Sequence, residues 1–301
     1  QADAGMASAD GTAWILDQAG QRSVCVAEVD GPLDTTEWLG DRLDHDDIRV
    51  VDCRFYLAEP QRGQNEYLVG HIPDAGYLSL DDDLTAARGP GRHPLPSPTR
   101  FATTLRDLGI GYRHTIVVYD QGDASLAPRL WWMLHSLGHT RVAVLDGGWA
   151  AWSAESRPTS DEPPQWAMHA LDLADAWSGT VDRHDIASND ELVLIDSRAP
   201  ERHRGEVEPI DPVAGHIPGS RNIPYHGNTD EEGRFLPDRD LRARFHNVAA
   251  ARPLVVYCGS GVTACNNLLA MEIAGIRGAL LYPGSWSDWS TPAADRQEQS
   301  G

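Results

Sequence analysis

One of the four cysteines stands where chemistry is possible. Residues 253 to 264 read Pro-Leu-Val-Val-Tyr-Cys-Gly-Ser-Gly-Val-Thr-Ala, an apolar strand that runs into Cys258 and then through a Gly-rich loop into a stretch with helical spacing. Gly259 and Gly261 let the backbone turn tightly with its N–H groups facing inward, and the positive end of the following helix adds to their field. A thiolate is stabilised in such a nest, and so is the terminal sulfur of a persulfide. The pattern therefore predicts a nucleophile that repeatedly takes up and gives away a negatively charged group. A structural cysteine at a strand end is the competing reading, outweighed by the order strand, cysteine, paired glycines, helix. A phosphatase or arsenate reductase loop would carry an arginine at its far end to clamp an oxyanion. Ala264 stands six residues after Cys258 instead, and the loop is one residue short. Cys265, seven residues after Cys258, falls inside the expected helix, a core position rather than that of a resolving thiol.

Around this loop the chain repeats itself once. Val50-Val51-Asp52-Cys53-Arg54 returns as Leu194-Ile195-Asp196-Ser197-Arg198, and Gly70-His71-Ile72-Pro73 returns as Gly215-His216-Ile217-Pro218. Ile116-Val117-Val118-Tyr119-Asp120 matches Leu254-Val255-Val256-Tyr257-Cys258, and Asp146-Gly147-Gly148-Trp149 matches Pro283-Gly284-Ser285-Trp286. Four matches in one order mean two copies of one fold. Asp120 stands where the second copy has Cys258, so the first copy reads as a scaffold.

Short apolar runs at 48–51, 116–119, 142–145, 192–195, 254–257 and 279–282 read as strands buried on both faces. Helical spacing occupies 128–137 and 263–274 between them. The alternation predicts an α/β fold, each copy a mainly parallel sheet with helices on both faces. The expected organisation is a mobile arm at 1–23, a scaffold domain at 24–156, a Pro-containing linker at 157–178, a catalytic domain at 179–293 and a tail at 294–301.

Composition narrows the partners. With 25 Lys plus Arg against 45 Asp plus Glu, the formal charge of −20 makes nucleic acid and anionic membranes poor partners, and no stretch is apolar enough to span a bilayer. Cys25, Cys53, Cys258 and Cys265 lack the paired spacing of a disulfide framework or a structural zinc site, which suits a reducing cytosol. The first ten residues have neither the basic start nor the apolar core of a secretory signal. No nucleotide, flavin or metal motif is present, so neither cofactor nor metal is expected.

Taken together, the repeat, the cysteine loop and the ending Gly284-Ser285-Trp286-Ser287-Asp288-Trp289 resemble the tandem-domain rhodanese-type sulfurtransferases, over roughly residues 24 to 293. The loop Cys258-Gly259-Ser260-Gly261-Val262-Thr263 looks like the branch that acts on 3-mercaptopyruvate, since thiosulfate-preferring members place basic residues there. The resemblance implies transfer through a Cys258 persulfide to a thiol, a thioredoxin-like protein or cyanide. The alternatives are thiosulfate:cyanide sulfur transfer, or a non-catalytic sulfur carrier or interaction module. The resemblance also implies that Gly259, Gly261, Val262 and Thr263 line the substrate site, with Arg202 holding the donor carboxylate. Arg198 belongs to the same candidate set, although an ion pair beside its strand end is the stronger reading. A second family arginine, expected before the Gly215-His216 motif, is absent from Glu208-Pro209-Ile210-Asp211-Pro212. A Ser-His-Asp relay is implied as well. Ser260 and His71 are its candidates, with Glu66 but no aspartate between residues 61 and 70. His71 and His216 could equally fix the turns of their own copies.

Overall fold

The computed structural model describes residues 31–250 and 253–291, together with residue 29 and the backbone of three short strands before it. Those strands, β1 (Met6–Ala7), β2 (Ala13–Leu16) and β3 (Arg22–Val24), pair antiparallel within the span expected to be an arm. Cys25 and the expected tail lie outside the described residues.

The first copy is an all-parallel sheet. β4 (Leu33–Asp34), β5 (Ile48–Asp52), β6 (Ala75–Tyr77), β7 (Thr115–Tyr119) and β8 (Val142–Leu145) lie in the order β4-β8-β7-β5-β6. Every residue of β5, β7 and β8 is buried, including Arg49 and Asp52 of β5, as strands covered by helices on both faces must be. The helices are α1 (Thr36–Gly40), α2 (Arg62–Val69), α3 (Pro98–Leu108), α4 (Ala127–Ser136) and α5 (Gly148–Ala154).

The second copy repeats this order with β9 (Val193–Asp196), β10 (Arg221–Asn222), β11 (Leu254–Tyr257) and β12 (Leu280–Leu281) arranged β10-β9-β11-β12, again all parallel. A single parallel bridge from Thr180 to Leu281 takes the place of β4. Its helices are α6 (Arg183–Ser188), α7 (Pro200–His203), α8 (Asp238–Phe245), α9 (Ala264–Ile273) and α10 (Ser285–Trp289). The strands and helices read from apolar runs appear within two residues of their expected ends. The short edge strands β4, β6 and β10 were not legible, because two or three residues carry no period.

The copies meet through α4 and α9, the helices that follow the two equivalent loops. Residues 264–271 of α9 are buried all round, with the sheet on one side and α4 on the other, which is why this helix lacks a polar face. One continuous apolar core, including Leu130, Met133 and Leu134 of the first copy and Leu268, Leu269 and Met271 of the second, crosses the boundary. The joining segment runs along the first copy. Ser160 exchanges two backbone hydrogen bonds with His71, and Trp166 donates its indole N–H to Asp74.

Candidate active site

Cys258 follows β11 and sits at the mouth of the loop, 2 % exposed. α10 braces the loop from the far side. The Cys258 amide donates to Ser285 Oγ, while the Cys258 and Gly259 carbonyls accept from the amides of Trp286 and Ser287. Gly261 is the one loop residue in the left-handed region (φ 76°), and a Cβ there would lie 2.4 Å from the Pro283 carbonyl oxygen. Gly259 has no such φ, so its small size rather than its backbone freedom matters.

The first copy shows what this loop is shaped to hold. The Asp120 carboxylate, at the position of Cys258, accepts hydrogen bonds from the amides of Gly122, Leu126 and Ala127. In the first copy, then, a side-chain carboxylate already fills the nest; burial pushes this carboxyl up, against the pull of the three amides. In the second copy the amides from Gly259 to Thr263 have no acceptor among the described residues, which leaves them for charge carried on the cysteine sulfur.

Ser260 is 6 % exposed, and its Oγ lies 2.8 Å from Nδ1 of His93, contributed by the first copy. Nε2 of His93 faces Asp81 at 3.7 Å, an approach too long for a hydrogen bond. Burial, then the positive charges of Arg129 and Arg92, pushes the His93 pKa down to about 3, so the ring is neutral at ordinary pH. The relay candidate His71 is corrected here. It is fully buried, stacks on Tyr67, and turns its two ring nitrogens to the carbonyls of Tyr67 (2.7 Å) and Glu162 (3.1 Å). His71 fastens the linker to the first copy. Glu66 is occupied by Arg62 and Tyr56.

Behind the loop lies a cation the sequence did not single out. Arg129, from α4, is fully buried with no carboxylate partner among the described residues. Its guanidinium donates to the carbonyls of Gly261 (3.3 Å), Leu84 (3.1 Å) and His93 (2.9 Å), so one side chain holds both the loop and the histidine that meets it. Its charge also interacts with Cys258.

In front of the loop is an interdomain cavity of about 530 Å³, lined by Cys258, Thr263, Tyr225, Arg92, Leu57 and Ile210. Gly259, Val262 and Arg202 line it too, and Arg202 is held by Glu208 at 2.5 Å and by Asp211 at 3.4 Å. Arg198 also borders the cavity, but it does not offer its charge there. Its guanidinium is 1 % exposed, bound to Asp196, Glu208 and the Gly215 carbonyl, and stacked over Trp286. The loop itself is neutral as expected, yet guanidinium groups reach it from outside. The segment Gly91-Arg92-His93-Pro94-Leu95-Pro96 brings both Arg92 and His93, and its Pro and Gly residues between apolar runs were the available signal of an ordered loop.

The rhodanese-like domain family matches residues 35–155 and again 182–292. A Pseudomonas aeruginosa protein named as a probable 3-mercaptopyruvate sulfurtransferase is 42% identical over 274 residues, 85% of this chain and 94% of its own. Human 3-mercaptopyruvate sulfurtransferase is 36% identical over 254 residues, 80% of this chain and 84% of its own. The crystal structure of a 3-mercaptopyruvate sulfotransferase from Escherichia coli superposes with a TM-score of 0.76 at 31% identity, over 85% of this chain and 98% of that one. With two matched domains and relatives of this similarity along most of its length, the chain belongs to the tandem-domain rhodanese family of sulfurtransferases.

Proposed function

We propose that the protein moves sulfur from 3-mercaptopyruvate to an acceptor thiol or cyanide through a persulfide on Cys258, in the domain spanning 179–293, with 24–156 as scaffold. The observation that carries this reading is the loop whose equivalent cradles a carboxylate in the first copy but is left open around Cys258 in the second. The thiolate attacks the donor sulfur, an S–S bond forms, and the C–S electron pair departs as the enolate of pyruvate. The donor's thiol proton, now on the persulfide, passes to the enolate carbon, leaving pyruvate and an anionic outer sulfur that the open amides accept. Ser260, hydrogen-bonded to neutral His93, stands beside Cys258 to carry that proton. An acceptor thiolate or cyanide then attacks the outer sulfur and releases Cys258.

In this reading Arg202 holds the donor carboxylate, supported by its lining the cavity with the loop residues Gly259, Val262 and Thr263. A small thiol, a thioredoxin-like protein or cyanide serves as acceptor, and the cytoplasm, where thiols stay reduced, is the compartment that suits the chemistry. No helix among the described residues is long and apolar enough to cross a membrane.

Two measurements test this. Mass spectrometry after donor treatment should show one added sulfur on the native protein and none on Cys258→Ser; sulfur retained by the variant would move the nucleophile elsewhere. The specificity constant for mercaptopyruvate should exceed that for thiosulfate, and the reverse order would reassign the donor.

A further inference from the structure

The cavity in front of Cys258 is bounded by two arginines that come from different domains. A Cβ at Gly259, the residue after the nucleophile, would lie 3.1 Å from Nη2 of Arg92 and 3.7 Å from Nη1 of Arg202. Each guanidinium is held on its outer side. Nη1 of Arg92 pairs with Asp211 across the domain boundary at 2.5 Å, and the Arg92 backbone amide donates to Ser287 Oγ at 3.0 Å. Nε and Nη2 of Arg202 are taken by Glu208, and Nη2 also meets Asp211. What remains is Nη2 of Arg92 and Nη1 of Arg202, two donors without a partner among the described residues, both near the space beside Gly259. Nε of Arg92 is also buried and unpartnered. Orienting two guanidinium groups towards one another costs Coulomb energy, and the shared carboxylate of Asp211 offsets it.

We infer that Arg92 is a substrate-binding residue, and that Arg92 and Arg202 together clamp the donor carboxylate, one oxygen to each, across the interface between the two domains. A carboxylate is the group that two converging N–H donors suit. This placement supplies the second cation that the segment around Ile210 lacks: Ile210 lines the cavity with an apolar side chain, and the charge arrives from the opposite wall. The scaffold domain then contributes substrate affinity as well as the His93 contact. The inference rests on the reading of the protein as a sulfurtransferase with a carboxylate-bearing donor.

The test compares native protein, Arg92→Ala and Arg92→Lys with 3-mercaptopyruvate, with 1-mercaptopropan-2-one, which keeps the thiol and ketone but has no carboxylate, and with pyruvate as a competitive inhibitor. Arg92→Ala should raise KM for mercaptopyruvate and weaken pyruvate inhibition by about 10- to 100-fold, the loss expected for a charge-assisted hydrogen bond. Turnover of the carboxylate-free donor should stay within about threefold of native. Equal losses with both donors would show that Arg92 only holds the interface, and an unchanged KM in a folded variant would show that it binds nothing; either result overturns the clamp. Thermal melting reports folding. If Arg92→Ala does not fold, Arg92→Lys decides, because its ammonium retains a charge for Asp211 but not a fixed second N–H, and an unchanged KM there overturns the clamp too. A native protein that takes sulfur from thiosulfate and none from mercaptopyruvate would reject the donor assignment alone. Pyruvate inhibition of thiosulfate turnover would then judge the clamp, supporting it if weakened in Arg92→Ala and overturning it if unchanged.

Discussion

Two histidines in the first copy have opposite roles, and the difference lies in what each ring nitrogen touches. His93 reaches out of its own domain to Ser260, whereas His71 is spent on two carbonyls inside the first copy and its linker. His93→Gln should slow sulfur uptake by about a hundredfold, at the low end of the range for acid–base assistance, with little change in stability. His71→Gln should do the reverse, costing about 1–2 kcal/mol of stability through lost buried hydrogen bonds while native-like uptake persists. Stopped-flow uptake and denaturant melts on the pair measure both effects. A slower chemical step in a folded His71→Gln, with His93→Gln unaffected, would return the relay to His71. Because burial keeps His93 neutral down to about pH 3, its ionisation should leave no inflection near pH 6.5 in the profile of kcat/KM.

The element that makes the site is the β11–loop–α9 unit, closed by α10. Gly261 is fixed there by two constraints, a left-handed φ and the Pro283 carbonyl at its back. Gly261→Ala should therefore destabilise the protein by more than about 1 kcal/mol and lower sulfur uptake, because the loop must move to admit the methyl group. Gly259→Ala meets only the ends of arginine side chains, at 3.1 Å and beyond, so the fold should tolerate it while donor KM rises. Thermal melts with KM measurements separate the two. Equal melting losses would mean that the loop responds to any added methyl group. Arg129 explains why the element is so constrained. A single side chain bonded to Gly261, Leu84 and His93 ties the loop to the first copy.

At the scale of the whole molecule, burial of several histidines in the neutral state weakens the fold in acid, opposing buried carboxyls such as Asp52 and Asp120 that burial pushes up. Burial is the leading cause that lowers His93 to about 3 and His114 to about 4, and it also lowers His135 and His139. In the unfolded chain such side chains accept protons below about pH 6.5. Their contribution to stability is thus fully present above pH 6.5 and is lost as the pH falls towards 4 and then 3, since the unfolded state binds the extra protons. The melting temperature should fall steadily from pH 6.5 to 4, and less steeply in His114→Gln. An equally steep fall in His114→Gln and native protein would show that this ring contributes nothing to the acid response.

How much of this was legible follows from where each interaction lies. The strand, Cys258, paired glycines and helix are consecutive, so chain order alone was enough to propose Cys258 as the nucleophile; the doubled motifs likewise indicated two parallel α/β domains, because buried strands leave short apolar runs. Asp120 in place of Cys258 is the basis, by the same comparison, for proposing the first copy as a scaffold. Only the tertiary structure decided which histidine meets Ser260, which cations reach the loop, and that Arg198 is consumed by Asp196 and Glu208. His71 drew attention because it recurs as His216, but recurrence reports what each copy needs for itself. His93, Arg92 and Arg129 reach across the boundary between copies, where neither period nor repeat relates the partners; Arg129 sits on α4, which packs on α9, and it holds the His93 carbonyl in turn.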